Sequence, residues 1–364
     1  MSDLSTIALI DSYLEESPPV SFLSGFFRSP PGNFHTTEDV ELDIQRDSED
    51  VAIVITDLSV APRHNESTLF TNKRFTPPIF EEEGAISSFD MIKRQFGEHS
   101  YMSPDYAANA TRAAFSIYRK CELKIRRAIE LMASQVLQTG KLTLINKAGV
   151  ALYELDFQPK ASHFVNAVGG VWAVNGSTGD PLGGLGALAT VIRRDSKRNP
   201  NTLIFGDSAY ARFIANTSVR AALDNRRMDL GLIAPQARGQ GATYMGSIWV
   251  GAYNFEMYTS VGDYNHPQTG VSTPFIDTNK VIMLSNSARL ELTFGAIPRI
   301  VAPDPRALPF LPPRISSVGG GIDISTGAWI TPDGKHVMVS AGTRPLTVPV
   351  AIDSYGTINV SVAT

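Results

Sequence analysis

Residues 103–140 read SPDYAANATRAAFSIYRKCELKIRRAIELMASQVLQTG. Ser103-Pro104-Asp105 is a helix start signal and Gly140 a stop, because proline fits the first helical turn and glycine the left-handed residue after the last. Between them Tyr106, Ala110, Ala113, Ile117, Cys121, Ile125, Ala128, Met132 and Val136 mark one apolar stripe at helical spacing. The pattern predicts a helix over 105–138, about 50 Å long at ~1.5 Å per residue. That exceeds the width of a small domain, so the helix is expected to be a spine linking separate regions. Its other face carries Arg112, Arg119, Lys120, Lys124, Arg126 and Arg127. These charges are expected to be solvated and partly paired with Glu122 and Glu130. A phosphate-binding role for this face is the alternative, but aromatic residues for base stacking are missing.

On the N-terminal side of the spine the chain looks unable to bury itself. Residues 1–39 read as an arm: Leu4, Ile7, Ile10 and Leu14 have helical spacing, Ser17-Pro18-Pro19 stops that helix, and Phe22, Leu23, Phe26 and Phe27 follow. Such a helix and Phe cluster need a surface elsewhere on this chain or on a neighbour. In residues 40–92, Val40, Leu42 and Ile44 alternate with Glu41, Asp43 and Gln45, the period of a half-buried strand. Val51 to Val60 is expected to be its partner, and Pro62 to Thr76 the polar remainder of a long hairpin. A two-stranded hairpin is marginal alone.

On the C-terminal side, Leu142 to Phe157 suggests a second hairpin. Residues 180–262 turn α/β, with Asp180-Pro181 capping a helix to about Arg194, a strand at Thr202 to Phe205, and a helix begun by Asp207 or Ser208 through Ala215. From 279 onward strands dominate, interrupted by a Pro- and Gly-rich insert at 303–321.

Composition excludes several classes. The 364 residues are 43% hydrophobic and 19% charged with net charge −4, which fits a folded protein of two or more lobes and gives no general pull toward nucleic acid. The single cysteine, Cys121, makes no intrachain disulfide. Apolar runs such as Val51 to Ile55 fall far short of the roughly 20 residues that cross a bilayer. No basic segment precedes the first apolar stretch, as a signal peptide would require. A reducing, aqueous compartment is expected.

Motifs for chemistry are few. Gly184-Leu185-Gly186-Ala187-Leu188-Ala189 matches a dinucleotide-binding pattern but follows a loop and a cap, not a strand, so the glycines are expected to serve helix packing. Phe205-Gly206-Asp207-Ser208 with Asp333-Gly334-Lys335-His336 resembles the two blocks of a GDS-type serine esterase. Ser208 would attack, His336 act as base and Asp333 orient the imidazole. A Gly-x-Asn-Asp segment for the oxyanion hole is absent, and the residues after His336 read as a strand. An N-cap at Ser208 and a turn at Pro332-Asp333-Gly334 are the plainer reading. His35, His64, His99, His163 and His266 lack metal-ligand spacing and are expected on the surface or in loops. Glu81-Glu82-Glu83 is expected to be a solvated charge run. No catalytic, metal or cofactor-binding residue and no cofactor is therefore expected.

The order of arm, long hairpin, spine helix, α/β lobe and terminal strands resembles the major capsid protein of tailed phages, in particular the lambda-type capsid E family. The resemblance rests on Phe26-Phe27-Arg28, Thr36-Thr37-Glu38, Phe75-Thr76-Pro77, the spine from Pro104 to Gly140, Leu223-Asp224-Asn225-Arg226-Arg227, Asn286-Ser287-Ala288-Arg289, Phe294-Gly295 and Trp329. It implies an α+β fold of the Hong Kong-phage (HK) type: N-terminal arm 1–39, extended loop 40–92, peripheral domain 93–165, axial domain 166–278, and return strands 279–364. It implies a non-enzymatic shell protein that self-assembles into hexamers and pentamers of an icosahedral phage head enclosing double-stranded DNA. Implied partners are other copies, DNA by non-specific contact, a decoration protein, a scaffolding protein and a portal, with no membrane. The place would be the virion, after assembly in the host cytoplasm. The alternatives to this reading are the GDS-type esterase of Ser208, Asp333 and His336 and an encapsulin-like nanocompartment shell, which shares the fold. Some relatives crosslink through a Lys and an Asn, and Lys73 is a conceivable donor, but lambda-type shells are reinforced by decoration, so no crosslink is expected. Removal of an N-terminal scaffold segment is not expected either.

Overall fold

The computed structural model describes residues 21–35, 37, 39–44, 71–88, 106–173, 178–223, 231–238, 241–301, 314–318, 323–331 and 333–363. The spine is a 34-residue α-helix, Tyr106–Thr139. Its two halves differ. Phe115, Arg119 and Lys120 stand in solvent, whereas Met132, Ala133, Val136 and Leu137 are fully buried. The buried end is also tied by polar groups. Gln138 donates to the Phe275 carbonyl (2.9 Å) and accepts from the Asp277 N–H (3.0 Å), and the Thr357 hydroxyl donates to the Leu137 carbonyl (2.9 Å). Gly140 closes the helix at φ +67°, its N–H on the Val136 carbonyl. The expected hairpin follows as Lys141–Ile145 against Ala151–Asp156.

A seven-stranded mixed sheet forms the second lobe. Its order across the sheet is Phe164–Ala167, Tyr355–Ala363, Lys280–Leu284, Thr202–Phe205, Tyr253–Ser260, Ala242–Val250 and Gly231–Arg238. Residues far apart in sequence thus lie side by side. Against one face pack helices Pro181–Ser196, Asp207–Ala215 and Thr217–Leu223, with Trp172, Leu185, Phe205 and Phe213 in the core between them. Ile204, Ile282, Leu284 and Tyr355 instead join a core with the spine's Met132 and Val136, so this sheet links the two lobes. A three-stranded sheet of Ser325–Ile330, His336–Thr343 and Phe80–Ser87 covers the exposed half of the spine. There Gly84 lies so close to Ile117 that a Cβ would sit 2.4 Å from its Cγ2.

Several expectations need correction. The strand paired with Val40–Ile44 is Thr71–Phe75, not Val51 to Val60, which lies outside the described residues. Pairing there depends on backbone hydrogen bonds, which a polar segment makes as well as an apolar one. Glu81-Glu82-Glu83 sits within a strand, with Glu81 and Glu83 outward and Glu82 ion-paired to Lys124 (2.7 Å). Within the insert, Arg314–Val318 pairs with Ile297–Val301. The arm helix at Leu4 to Leu14, and His64 and His99, lie outside the described residues. Among the described residues no helix is long and apolar enough to cross a membrane.

Gly140→Ala is expected to destabilise the fold by about 2 kcal/mol, because L-residues resist positive φ and overpacking adds strain. Its Cβ would lie 2.3 Å from Pro159 Cγ. Urea unfolding checks this; a midpoint equal to that of the parent chain would show that the turn relaxes freely.

Candidate functional site

The arm is the first feature with functional geometry. Its Phe cluster finds a surface on its own chain: Leu23 and Phe27 are buried against Met132, Ala133 and Leu290 in one core. A short 3-10 turn, Ser24–Phe26, sits beside the spine, and the buried Glu130 carboxylate holds it. The Leu23 N–H donates to Oε1 (2.7 Å) and the Ser24 N–H to Oε2 (2.8 Å). Burial raises the Glu130 pKa, and these backbone donors oppose that rise. The expected surface pairing of Glu130 with the basic face is therefore wrong; it points the other way, while Glu122 does pair with Arg126 (2.9 Å). The arm then runs parallel to the strand Leu290–Phe294. Arg28 bridges to Glu291, and Phe34 to Phe294, whose rings stack at 5.0 Å.

The second feature is the root of the long hairpin. Asp39 accepts from Arg74 Nε (2.7 Å) and from the Thr76 hydroxyl (2.6 Å), and these bonds hold its carboxyl below the usual range. The Tyr153 hydroxyl donates to the Thr76 carbonyl (2.8 Å), and burial pushes its pKa up to about 12. The buried Arg344 guanidinium donates to the carbonyls of Pro77 and Ala296 (3.2 and 3.1 Å). Three parts of the chain thus clamp the point where the hairpin leaves the body.

The sequence motifs for chemistry do not converge. Ser208 lies on the helix after the strand Thr202–Phe205 of the seven-stranded sheet, whereas His336 opens a strand of the three-stranded sheet. His336 Nδ1 is buried with no hydrogen-bond partner, so Asp333 does not orient the ring. Asp333 instead accepts from the Thr331 hydroxyl (2.5 Å) and the Lys335 N–H (3.2 Å) in a turn. The N-cap is Gly206 rather than Ser208; a Cβ there would lie 2.3 Å from the Asp277 carbonyl oxygen, so close approach of two backbones selects glycine. Gly184 and Gly186 lie inside the helix Pro181–Ser196, whose cap is Asp180 accepting from the Gly183 N–H (2.9 Å).

His163 departs from expectation: it is buried. Its Nδ1 faces the Tyr355 carbonyl (2.9 Å), which only accepts, and its Nε2 faces Asp195 (3.0 Å). With Asp353 these groups lie within 4.8 Å of one another, a grouping with metal-ligand chemistry. Lys160 already supplies the cation, at 3.0 Å from Asp195 and 3.8 Å from Asp353. The cluster reads as a lock between helix, sheet and loop. Its sequence signal is weak because the four residues are scattered over 194 positions of chain, Lys160 to Asp353. His35 is half-buried on the arm, and burial lowers its pKa.

What the surface does offer is apolar area. Leu152 (73% exposed), Val150, Val261 and Val271 stand out, as do Phe115 (69%), Ile79, Trp249 and Trp329. Gly149 at the tip of one hairpin touches Gln268 at the tip of Asp263–Asn265/Ser272–Pro274, which brings the exposed Val150 and Val271 into one region. Exposed apolar side chains grouped in this way mark association surfaces.

Comparison with known proteins agrees with association. The family model for phage major capsid protein E matches residues 10–355. A prophage protein of Escherichia coli CFT073, assigned as its capsid protein, is similar in structure with TM-score 0.60 and 16% identity, over 94% of this chain and 93% of that one. A Gordonia phage Cozz structure gives TM-score 0.47 and 11% identity over 97% and 89%. The SrpI encapsulin of Synechococcus elongatus PCC 7942 gives 0.44 and 8% over 97% and 94%. No curated protein matches.

Glu130→Gln is expected to loosen the arm by about 2 kcal/mol, because an amide oxygen replaces only one of two acceptors for buried N–H groups. Limited proteolysis should then cut faster within residues 21–35; an unchanged cleavage rate would show that the carboxylate is dispensable. Asp195 is held below the usual carboxylate range, first by the bond from His163 and then by Lys160. A carboxyl more acidic folded than unfolded adds stability that is full above about pH 4 and is lost as pH falls through its folded value. Asp195→Asn should therefore flatten the acid limb of the unfolding midpoint, and a limb identical to the parent's would remove Asp195 from that role.

Proposed function

The chain belongs to the phage major capsid protein E family, and from that premise we propose that its capsomers are hexamers and pentamers closing an icosahedral head around packaged double-stranded DNA. As a major capsid protein of the Hong Kong-phage-type fold it is a structural component of the virion and self-assembles into a shell. The observation that carries the finer reading is the clamped root of the hairpin. Val40–Ile44 and Thr71–Phe75 form a two-stranded sheet of their own. Two strands do not bury enough surface to stand alone, so this segment needs a neighbour to lie on. Asp39, Arg74, Thr76 and Arg344 aim it rather than leave it free.

In this reading residues 1–39 are the arm, 40–92 the extended loop, 93–165 the peripheral domain, 166–278 the axial domain and 279–364 the return strands with the insert 303–321. Head-to-tail contacts that close by rotation make rings, and many modest contacts per subunit add by multivalency. A scaffolding protein, a portal and a decoration protein complete the set of partners, and assembly takes place in the host cytoplasm. Catalysis is not part of the proposed role: Ser208 lies on the helix after the strand Thr202–Phe205 of the seven-stranded sheet, and His336 in a strand of the three-stranded sheet. Lys73 forms no crosslink.

Negative-stain microscopy of the purified chain should show rings or closed shells tens of nanometres across. Denaturing gels of the particles should show a single band with no ladder of covalent multimers. Ser208→Ala should assemble unchanged, and the parent should leave an activated ester intact. A small, non-assembling particle that consumes the ester through Ser208 would overturn the proposal.

A further inference from the structure

Where the arm crosses the strand Leu290–Phe294, an open cleft of about 730 Å³ is lined by Arg28, Arg198 and Arg289 together with Glu291. The three arginines come from three separate parts of the chain. Arg28 donates its N–H to the Leu290 carbonyl and accepts from the Leu292 N–H, both at 2.9 Å, so it lies beside Glu291 in a parallel bridge. Arg198 is half-buried, with Nη1 on the Ser287 carbonyl. Arg289 is exposed and gives its Nε to Glu291 (2.5 Å). Glu291 is buried and is the one carboxylate lining the cleft, so three positive groups face one negative group. The local surplus of two positive charges stands in a protein whose net charge is −4.

In sequence, Arg198 follows a basic helix end that also carries Asp195. Arg193 and Arg194 occupy the last turn of the helix Pro181–Ser196, and Lys197 follows at its left-handed cap. The dipole at that helix end, equivalent to about half a negative charge, offsets little of it. An open cleft lined by three arginines suits a chain of anions better than a single small one. Guanidinium forks match phosphate oxygens in two-point contacts, and duplex DNA offers one charge per ~1.7 Å of axis. Resting on the reading that the shell encloses DNA, we infer that the cleft of Arg28, Arg198 and Arg289 is a contact site for the phosphodiester backbone of the packaged duplex. Contact there is independent of base sequence, because phosphates carry none.

The test uses the full chain and a short duplex of random sequence, with affinity followed by fluorescence anisotropy across a salt series. Arg28→Gln with Arg198→Gln removes two contacts and leaves the Arg289–Glu291 pair intact. Lys147→Gln with Lys335→Gln, both on exposed turns away from the cleft, changes net charge equally. The arginine pair should lower the salt slope by about 2 and shrink the affinity loss between about 50 and 200 mM salt roughly tenfold, while the lysine pair leaves both unchanged. An equal effect of the two pairs, or no effect of either, overturns the site. Poly-glutamate bound as tightly as DNA at the same ionic strength overturns DNA in favour of an acidic protein segment. Shell formation is scored separately by microscopy: parent chain without shells sinks the capsid reading, whereas normal shells with an unchanged slope sink only the cleft.

Discussion

A carboxylate buried inside a helix bundle or sheet core is costly unless hydrogen bonds offset its lost hydration. Glu130 sits in that position, one residue after the buried Ile129 and two before Met132. The spine can bury its C-terminal half only if something supplies donors to Glu130, and the arm does so with two backbone N–H groups. Once fixed there, the arm has one direction to follow. It lies along Leu290–Phe294, whose other edge pairs with Pro345–Pro349, so the arm, the spine and the return strands share one register. A polar group that looks like a flaw in an apolar stripe therefore sets the position of arm residues 21–35.

This arrangement divides the chain's apolar segments into two kinds. The Phe cluster of the arm is satisfied within the subunit, so of the two surfaces the sequence left open, this chain or a neighbour, it uses the first. The hairpin root and the exposed Leu152, Phe115, Val261 and Val271 are not satisfied in this way. A subunit built like this can hold a stable body in solution and still keep surfaces for association. Its outward two-stranded sheet is aimed by buried polar clamps, Arg344 among them.

Legibility in the sequence followed the physics of each element. The spine was readable to within a residue or so at each end, because start, stripe and stop agree over nine turns or more. The hairpin Lys141–Asp156, the helices from Pro181 and Asp207, and the late strands were readable from period and caps. Thr71–Phe75 and Phe80–Ser87 were not, since their runs of Asn, Lys, Arg and Glu carry no apolar alternation and their pairing is a matter of backbone hydrogen bonds. Among the candidate site residues, Ser208, Asp333 and His336 had the spacing of a catalytic set without its geometry. Glu130, His163 and Arg344 had the geometry without a spacing, because their partners come from remote parts of the chain. A lone acid inside an apolar stripe is the one local sign that could have flagged Glu130.

The position of Tyr355–Ala363 in the central sheet carries a consequence for synthesis. This late strand is second from the edge, between Phe164–Ala167 and Lys280–Leu284. The nascent polypeptide therefore keeps a gap in its sheet, opened at Phe164–Ala167, until residues 355–363 have been made. At about 5–20 residues per second that delay is tens of seconds. Polypeptides terminated before residue 355 lack the piece that closes the lobe, so the ribosome's own progress acts as an inspection step on the sheet.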